Sequence, residues 1–430
     1  MTTQEFLQSN GLAPSNEDFF RWALDFKSEM ASGLAGEKSS LRMIPTYLSA
    51  QDLPTSGEPV IVLDAGGTNL RLALMEFTST GPQATYFNTV PMLGTQGHLT
   101  IDQFYDQLAQ LMAPIADQSG RVGFCFSFPC EILPDLDGKV LHFDKEVDIG
   151  GAEGSILGVG LRAALERLGK RHDHKVVVIN DTVAAMLGAM SQGLADANSM
   201  GFILGTGTNI CAPFPLKDIG KLHRGCGQCS CHLEGSMIIN LESGGFDALE
   251  RSPVDLAFDA TLADPGTQVL EKLISGAYQG PMALAYLRSA ADAGLFSPEC
   301  TAAYKALPAL SAKDISTFLN GETDHPLTFL NDADKAVTLE ILDGFFRRAA
   351  MLTAATLAAV LGAVAGGKPN DPEHPIAIAA EGTTFYKCPL LHKYLTEYME
   401  TLVAGKLGLH SKFVQGENPN LTGAALAALS

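Results

Sequence analysis

The amino-acid sequence predicts an α/β protein with two domains that face each other across a cleft. Three observations lead to this prediction: the length of the chain, the alternation of strand-like and helix-like segments, and a glycine-rich turn that occurs twice. An alternation of strands and helices is typical of a sheet covered by helices.

The length and the composition limit the kind of protein. A single hydrophobic core stops growing at roughly 250–300 residues, so a chain of 430 residues is expected to form two domains. The formal net charge is -19, from 48 acidic and 29 basic residues. This charge argues against nucleic acid or an anionic membrane as the main partner, and any anionic ligand needs a locally built site.

Strand-like and helix-like segments alternate along most of the chain, after about 55 residues that are predicted to be helical and polar. The predicted strands cover residues 59–77, 122–126, 176–179, a run from about 200, and 375–380. The predicted helices cover 103–116, 155–168, long stretches of 253–361, 390–407 and a segment after 420, and an irregular loop runs to residue 151.

Location is predicted from the start of the chain and from its cysteines. The chain begins M-T-T-Q-E-F-L-Q-S-N, without the basic segment and apolar run of a signal peptide, and its eight cysteines are expected to be reduced thiols. Both observations predict a cytoplasmic protein. Residues 349–367 are apolar and about long enough to span a bilayer. Because this stretch is alanine-rich and ends in two glycines, we expect a buried helix and no membrane partner.

Two segments share the pattern of a strand, a glycine-rich turn and a second strand. Residues 61–74 read I-V-L-D-A-G-G-T-N-L-R-L-A-L, and residues 200–214 read M-G-F-I-L-G-T-G-T-N-I-C-A-P-F. Converging backbone N–H groups in such turns bind anions, and Asp64 in the first suits a hydrated Mg²⁺ that bridges phosphates. The alternative is two ordinary hairpin turns. Because strands follow both turns, neither is a P-loop or a Rossmann fingerprint.

A third segment, V-V-V-I-N-D-T-V-A at residues 176–184, places an amide and a carboxylate where an apolar strand ends. Open α/β sheets bind ligands at the carboxyl ends of their strands, so Asn180 and Asp181 are candidate site residues. The alternative is a helix N-cap, since Asp181 and Thr182 are both residue types that cap well.

Eight segments, in order along the chain, resemble the hexokinase family within the sugar kinase, actin and Hsp70 superfamily. They are L-D-A-G-G-T-N-L-R (63–71), F-S-F-P-C (126–130) with the loop that follows it, I-N-D-T-V-A (179–184), G-T-G-T-N (205–209), I-N-L-E-S-G-G-F-D (239–247), E-K-L-I-S-G-A-Y-Q-G (271–280), A-A-E-G-T-T-F-Y-K-C-P (379–389) and L-T-G-A-A-L (421–426). The resemblance implies two RNase H-like domains, as in actin-like ATPases, hinged around a cleft. The small domain would comprise residues 60–195 and the C-terminal helix 419–430, and the large domain 1–59 and 196–418.

The resemblance also implies an activity, which is ATP- and Mg²⁺-dependent transfer of a γ-phosphoryl group to the 6-hydroxyl of a hexose, glucose first. Asp181 would be the catalytic base, and Lys145 would offset the charge of the transferred group. The sugar would be bound by Ser127, Asp144, Asn180, Asp181, Asn209, Glu242 and Glu271. The nucleotide would be bound by Asp64, Gly66, Gly67, Thr68, Asn69, Arg71, Thr206, Gly207, Gly382, Thr383 and Gly423, with Asp64 also holding Mg²⁺ through water. Taken singly, Glu242 and Glu271 would be interpreted as solvated surface residues.

Two positions depart from the family pattern. Asp144 stands where the family has a threonine, directly before Lys145, and it adds negative charge close to the incoming phosphoryl group. This change bears on the choice of sugar. Glu381 also differs from the usual residue before the nucleotide-side glycine, which bears on the choice of purine.

A cysteine-rich segment looks like a zinc site, because Cys226, Cys229, Cys231 and His232 are all residue types that bind zinc. All four lie within seven residues, whereas closed tetrahedral sites normally draw their ligands from two segments. We expect reduced loop thiols here, with a structural metal as the alternative.

Three other functions stay open. A kinase for mannose, fructose or an amino sugar would follow from the change at Asp144. A sugar sensor without turnover would be expected to lack Asp181 or Lys145, and both are present. An actin-like filament or a chaperone ATPase gives no reason for the segments at 126–130 and 271–280. The sequence does not indicate the oligomeric state.

Overall fold

The structure is a computed structural model that describes residues 1–51, 57–79, 81–143, 147–223 and 234–430. Its strands are β1 (Ile44–Pro45), β2 (Val60–Ala65), β3 (Asn69–Thr78), β4 (Gly81–Pro91), β5 (Leu99–Thr100), β6 (Arg121–Phe126), β7 (Cys130–Ile132), β8 (Gly138–Val140), β9 (Ile149–Gly150), β10 (Lys175–Ile179), β11 (Met200–Leu204), β12 (Thr208–Pro215), β13 (Ser236–Asn240), β14 (Ile376–Glu381) and β15 (Ser411–Val414). Its helices are α1 (Thr3–Ser9), α2 (Asn16–Ala35), α3 (Ile101–Met112), α4 (Leu157–Arg167), α5 (Asp181–Ser191), α6 (Pro253–Asp259), α7 (Val269–Ile274), α8 (Gly276–Asp292), α9 (Pro298–Ala306), α10 (Ala312–Leu319), α11 (Asp332–Val364), α12 (Thr383–Lys387), α13 (Pro389–Tyr398), α14 (Gly405–Leu407) and α15 (Pro419–Leu429).

The described strands form two main sheets, so the α/β prediction is confirmed. A five-stranded sheet has the order β10-β6-β2-β3-β4, and a six-stranded sheet has the order β1-β13-β12-β11-β14-β15. In the first, β10, β6 and β2 are parallel and β3 and β4 are antiparallel additions. In the second, β11, β14 and β15 are parallel, while β12, β13 and β1 are antiparallel.

Both predicted hairpins are present, one in each sheet. The first glycine turn joins β2 to β3, where Ala65 pairs with Leu70. The second joins β11 to β12, where Leu204 pairs with Thr208. The two halves of the protein therefore each contribute one turn of the same kind.

The five-stranded sheet is buried on both faces, which explains its continuous apolar strands. Along β2, Ile61 and Leu63 belong to a core formed with α3 and α4. The alternate residues, Val60 and Val62, belong to a second core that includes α5 and α15. Such alternation follows from the two-residue period of a strand.

Helices α5 and α15 lie between the two sheets and pack closely on each other. α15 contacts β2, β6 and β10, and α5 contacts β11, β12 and β14. The close approach depends on glycines: a Cβ on Gly423 would lie 2.0 Å from the carbonyl oxygen of Ala184. On the other side of α15, a Cβ on Gly123 would lie 2.0 Å from the carbonyl oxygen of Ala424. No larger residue fits at Gly123 or Gly423 without backbone movement.

The long helix α11 is the core helix of the large half. It is long and apolar enough to cross a membrane, but 78% of its most apolar stretch is buried inside the fold, as predicted for residues 349–367. At the edge of that stretch, Arg348 makes a buried ion pair with Asp255 through two hydrogen bonds of 2.8 and 3.0 Å. Tyr286 donates a third hydrogen bond to Asp255, so both oxygens of the buried carboxylate have hydrogen-bond donors.

Several segments differ from the sequence prediction, which also lacks the strands β1 and β4. The helix predicted at 390–407 is divided by a π-helical turn, Met399–Ala404, between α13 and α14. The strand predicted as the last is followed by a shorter one, β15, which has too few residues for a clear periodic pattern. The irregular loop to residue 151 contains three short strands, β7, β8 and β9. The residues at which one domain ends and the other begins stay a prediction.

Replacing Gly423 by alanine is expected to destabilise the protein, because the new methyl group would overlap the backbone of α5. Overpacking of this kind costs typically about 1–3 kcal/mol. The matched control is Gly362→Ala in α11, where the nearest atom to the new Cβ lies 3.8 Å away. That control should be neutral or stabilising. Urea unfolding of both variants measures the difference, and equal midpoints would contradict the proposed packing constraint.

His174 is expected to make stability fall at acidic pH. Its Nε2 lies 2.9 Å from the carbonyl oxygen of Ala116, and burial lowers the pKa of His174. The unfolded chain therefore takes up a proton first, so this contribution to stability is lost as pH falls below about 6.5. His174→Gln should flatten the dependence of the unfolding midpoint on pH between 7 and 5, and the exposed neighbour change His172→Gln should not. A profile unchanged by His174→Gln would show that another group is responsible.

Candidate active site

A cleft of about 1510 Å³ contains both glycine turns and the end of β10. Its lining includes most of the residues predicted from the sequence. From the predicted sugar set these are Ser127, Asn180, Asp181, Asn209, Glu242 and Glu271, and from the predicted nucleotide set Asp64, Gly66, Gly67, Thr68, Asn69, Arg71, Thr206 and Gly207. The fold thus brings together residues from six of the eight predicted segments, and most of them lie where a strand ends or turns.

The first glycine turn is held in shape by backbone hydrogen bonds. Gly66 donates its N–H to the carbonyl oxygen of Asn69 at 3.1 Å, and the carbonyl oxygen of Thr68 accepts from Met92 at 2.9 Å. The second bond attaches the turn to the residue that follows β4. Thr68 and Asn69 remain exposed to the cleft, where their polar groups can reach a ligand.

Asp64 lies under the first turn and is only 2% exposed. It pairs across the β2–β3 ladder with Arg71, whose guanidinium forms an ion pair with its carboxylate. Burial raises the pKa of Asp64, the charge of Arg71 and a hydrogen bond from Cys125 oppose the rise, and the charge of Asp181 adds to it. Asp64 and Asp181 therefore lie close enough in the cleft for their charges to interact.

The second glycine turn is attached to three helices of the large half. The carbonyl oxygen of Gly205 accepts from the Gly276 N–H and from the Thr384 hydroxyl, each at 2.8 Å. Glu271 accepts the Thr208 N–H at 3.0 Å. Gly382 has a φ of 114°, and a Cβ there would lie 2.2 Å from the carbonyl oxygen of Leu204. The glycine at 382 is therefore required for the close approach of α12 to this turn.

Asp181 is the first residue of α5, directly beyond the end of β10. The alternative in which Asp181 or Thr182 caps this helix is wrong in detail, because Asn180 is the N-cap. The Oδ1 atom of Asn180 accepts the Thr182 N–H at 2.9 Å. The carboxylate of Asp181 is only partly covered and lines the cleft, so it is available to a ligand while Asn180 completes the helix.

Asn209 is the centre of a hydrogen-bonded cluster that joins the two halves. Its Oδ1 atom accepts the N–H groups of Ile210 at 2.8 Å and Ser243 at 3.2 Å, which fixes the orientation of the amide. Its Nδ2 group therefore points to acceptors. These are Asn240 Oδ1 at 2.6 Å, Asn180 Oδ1 at 3.3 Å and Glu242 Oε1 at 3.4 Å.

Glu242 is placed in this cluster by an uncommon backbone conformation. It has a φ of 57°, in the left-handed region that few non-glycine residues adopt. Its Oε1 atom accepts from Asn240 at 2.7 Å. Strained residues of this kind are often found at functional sites. Glu242 is therefore a residue of the cleft and not an ordinary solvated surface residue, and the same is true of Glu271 beside the second turn.

A second, smaller cavity of about 360 Å³ adjoins the cleft and shares Arg71, Asp181 and Asn420 with it. Gly382 and Glu381 line this cavity, where burial raises the pKa of Glu381 and Arg71 opposes the rise. Thr383 is exposed beside it but lines neither cavity. Gly423 also lines neither cavity, because it is buried in α15 where that helix packs against α5.

Some predicted residues lie outside the described part of the chain. These are Asp144 and Lys145, and the cysteine-rich residues Cys226, Cys229, Cys231 and His232. Ser127, which is described, follows β6 and donates its N–H to the carbonyl oxygen of Ala65 at 3.1 Å.

Several residues of the cleft were not identified from the sequence. They are Arg42, Asn240, Asp264, Thr267, Gln268 and Asn420. Asn240 could have been identified from the sequence. It lies two residues before Glu242 near the end of a strand, and residues two apart in a strand point to the same face. Asn420 has no such signal in the sequence: its Nδ2 atom reaches Asp64 at 3.5 Å across a long separation in sequence.

The charges of the cleft define the ligands it can hold. Among the described lining residues, the carboxylates are Asp64, Asp181, Glu242, Asp264 and Glu271, and the guanidinium groups are Arg42 and Arg71. A polyphosphate would meet an excess of negative charge unless a cation accompanied it. The described residues contain no group of three His, Cys, Asp or Glu side chains that could hold a metal ion.

Comparisons with known proteins agree with this geometry. Two family models, both described as hexokinase, match residues 4–191 and 199–430. Hexokinase-3 of Rattus norvegicus is 30% identical over 99% of this chain and 47% of its own length. Hexokinase-1 of Schizosaccharomyces pombe is 27% identical over 94% of this chain and 85% of its own length. The chain spans about half the length of the mammalian relatives it matches.

Solved structures show the same fold. A hexokinase from Schistosoma mansoni complexed with glucose superimposes with a TM-score of 0.77 at 20% identity, over 99% of this chain and 98% of the other. This likeness confirms the expected fold class, two RNase H-like domains around a cleft. Because the two family models together match nearly the whole described chain, the protein belongs to the hexokinase family.

Proposed function

We propose that this protein is an ATP-dependent hexokinase that transfers the γ-phosphoryl group to the 6-hydroxyl of a hexose, with glucose as the first acceptor. The observation that carries the proposal is the position of Asp181. It stands at the end of β10, between a glycine turn of each sheet and beside the amide and carboxylate cluster around Asn209. A base, a place for phosphates and a set of hydroxyl-binding groups thus meet in one cleft.

Asp181 would orient the acceptor hydroxyl and take its proton. Its backbone position is fixed by the Asn180 cap and by the packing of α5, so the carboxylate needs little reorganisation during the reaction. The Nδ2 group of Asn180 has no hydrogen-bond partner among the described residues, so it can donate to a neighbouring sugar hydroxyl. Bound Mg²⁺ would neutralise charge on the phosphates.

The cluster around Asn209 suits a sugar because every hydroxyl is both a donor and an acceptor. Glu242 and Glu271 offer acceptors, and Asn180, Asn209 and Asn240 offer amides. Polar groups held this closely before binding recognise a hydroxyl pattern sharply, because an analogue that lacks a hydroxyl leaves them unpaired. The proposal also includes Asp144 as a residue that affects the choice of sugar, so a preference for mannose, fructose or an amino sugar would be attributed to it.

The nucleotide would lie along the two glycine turns and extend into the second cavity. Gly67 offers a backbone N–H group and Thr206 a hydroxyl at the cleft, while the N–H of Gly66 holds the turn in shape. Asp64 would hold Mg²⁺ through water, and Arg71 is placed to contact both the phosphates and Asp64. Closure of the two halves would exclude water, which otherwise competes as an acceptor. A cytoplasmic location belongs to the same proposal, supported by the free thiols of the described cysteines.

The first test is ADP release with Mg·ATP and a panel of glucose, mannose, fructose, glucosamine and N-acetylglucosamine. Turnover with glucose is expected, and Asp181→Asn should reduce it by about 10²- to 10⁴-fold, the usual contribution of a general base. Sugar binding, measured by calorimetry, should be largely retained, because the amide preserves the shape of the carboxylate.

Asp332→Asn is the matched control for that variant. Asp332 is also the first residue of a helix and follows an asparagine N-cap, Asn331, but it is exposed and lines neither cavity. Its loss tests the effect of removing a negative charge at a helix N-terminus. Full turnover in Asp181→Asn, or an equal loss in Asp332→Asn, would contradict the role assigned to Asp181. Binding without turnover on every sugar would favour the sensor.

Asn240→Ala is expected to weaken sugar binding more than it slows turnover. The change removes an acceptor of Asn209 and a donor to Glu242, so both side chains lose their fixed orientation. We expect KM for the sugar to rise about tenfold, which corresponds to about 1.4 kcal/mol. The control is Asn320→Ala, an exposed asparagine that also bonds a glutamate two residues later, Glu322. Unchanged KM in Asn240→Ala would show that the cluster does not position the sugar.

A further inference from the structure

Lys272 is a buried lysine that the proposed mechanism does not use. It belongs to α7, next to Glu271, and is only 3% exposed. Lysine is almost never fully buried unless its charge is paired. Its Nζ atom lies 2.7 Å from Asp259 Oδ1, 2.7 Å from the carbonyl oxygen of Asp264 and 3.3 Å from Asp264 Oδ1. The ammonium group therefore has three oxygen partners, and two of them belong to Asp264.

These contacts close a loop, residues 260–268, that runs from α6 to α7. Asp259 holds both ends of it, because its Oδ2 atom accepts the Gly266 N–H at 2.8 Å while its Oδ1 atom accepts from Lys272. Arg251 donates a further hydrogen bond to Asp259 at 2.9 Å. Within the loop, Thr267 donates to Asp264. Lys272 and Asp259 thus form an ion pair that closes the loop, called the clasp.

The loop is one wall of the cleft on the side of the Asn209 cluster. Asp264, Thr267 and Gln268 line the cleft, and all three are exposed to it. Loop residues with so little burial have few apolar contacts to hold them. The buried clasp is what attaches this exposed wall to the large half.

Gln268 is held in a strained conformation at the end of the loop. Its φ is 47° and its ψ is 45°, in the left-handed region. Such strain persists only where surrounding contacts determine the backbone. The Gln268 carbonyl oxygen accepts the Lys272 N–H at 3.0 Å, one turn further along the chain. Gln268 therefore stands between a loop fixed by the clasp and a helix that begins immediately after it.

We propose that the Lys272–Asp259 clasp positions the sugar-side wall of the cleft, so that Lys272 determines affinity for the acceptor sugar without touching it. This inference rests on the proposed function. Lys272 is not among the residues that line the cleft, while its neighbour Glu271 bonds the second glycine turn. The short helix α7 thus holds the second glycine turn through Glu271 and the loop of residues 260–268 through Lys272.

The test is Lys272→Met, which keeps the length of the side chain and removes its charge. KM for glucose and the calorimetric Kd for glucose should both rise about tenfold, since a displaced binding group commonly costs at least that factor. The turnover number of the folded enzyme and KM for Mg·ATP should change less than about threefold, because the glycine turns keep their contacts. Amides of residues 260–268 should exchange hydrogen faster, with those of α8 and α11 unchanged.

The control is Lys305→Met, which removes a lysine from an exposed ion pair with Asp292 at 2.7 Å. Lys272→Gln serves as a milder variant if Lys272→Met folds poorly, because its amide retains a donor. An unchanged Kd and KM for glucose in either Lys272 variant would overturn the proposal, even if the amount of active enzyme falls, because neither constant depends on that amount. Wild-type protein that neither binds nor phosphorylates glucose would instead contradict the proposed function.

Discussion

The close packing of α15 against α5 and β6 is the constraint on which the rest of the structure depends. Gly423 and Gly123 allow backbones to meet where a side chain would keep them apart. Because α5 also contacts the six-stranded sheet, the two helices connect both halves of the protein. The same packing aims Asp181 at the cleft from the first turn of α5 and brings Asn420, at the start of α15, within reach of Asp64. One helix pair thus carries Asp181, the proposed base, and a side chain that reaches Asp64, the carboxylate proposed to hold Mg²⁺.

The elements that the sequence predicts well are those whose chemistry is local. Glycine turns between apolar strands, and polar residues at the end of a strand, follow from backbone geometry and from two-residue periodicity, and the structure has the hairpins and strand ends where these rules place them. The cap at Asn180 was missed because three successive residues, Asn180, Asp181 and Thr182, all suit an N-cap, and only tertiary packing decides among them. Gln268 was missed for a different reason, since its left-handed backbone depends on a loop fixed from outside. Gly423 was assigned to the nucleotide by resemblance, whereas the structure shows the tight helix contact that requires a glycine there.

The two chemical tasks proposed for the cleft make opposite demands on charge. Carboxylates and amides bind hydroxyl groups well, and the cluster around Asn209 is rich in both. Phosphates need positive charge, which among the described lining residues comes from two guanidinium groups. The separation of the tasks is structural, because the hydroxyl-binding cluster belongs mainly to β12, β13 and α7, while Asp64 and Arg71 belong to the five-stranded sheet. Asn180 and Asp181 lie where the two regions meet, so a bound sugar would contact both halves at once.

The position of α15 in the chain has a consequence for the order of folding during synthesis. The last strand of the five-stranded sheet, β10, ends at Ile179, and the helix that covers one face of that sheet begins only at Pro419. Ribosomes add roughly 5–20 residues per second, so this apolar face waits at least some ten seconds for its cover. During that interval the large half emerges and can fold on its own core. The small half is completed last although most of it is made first, and a chaperone that shields its uncovered face would act in that interval.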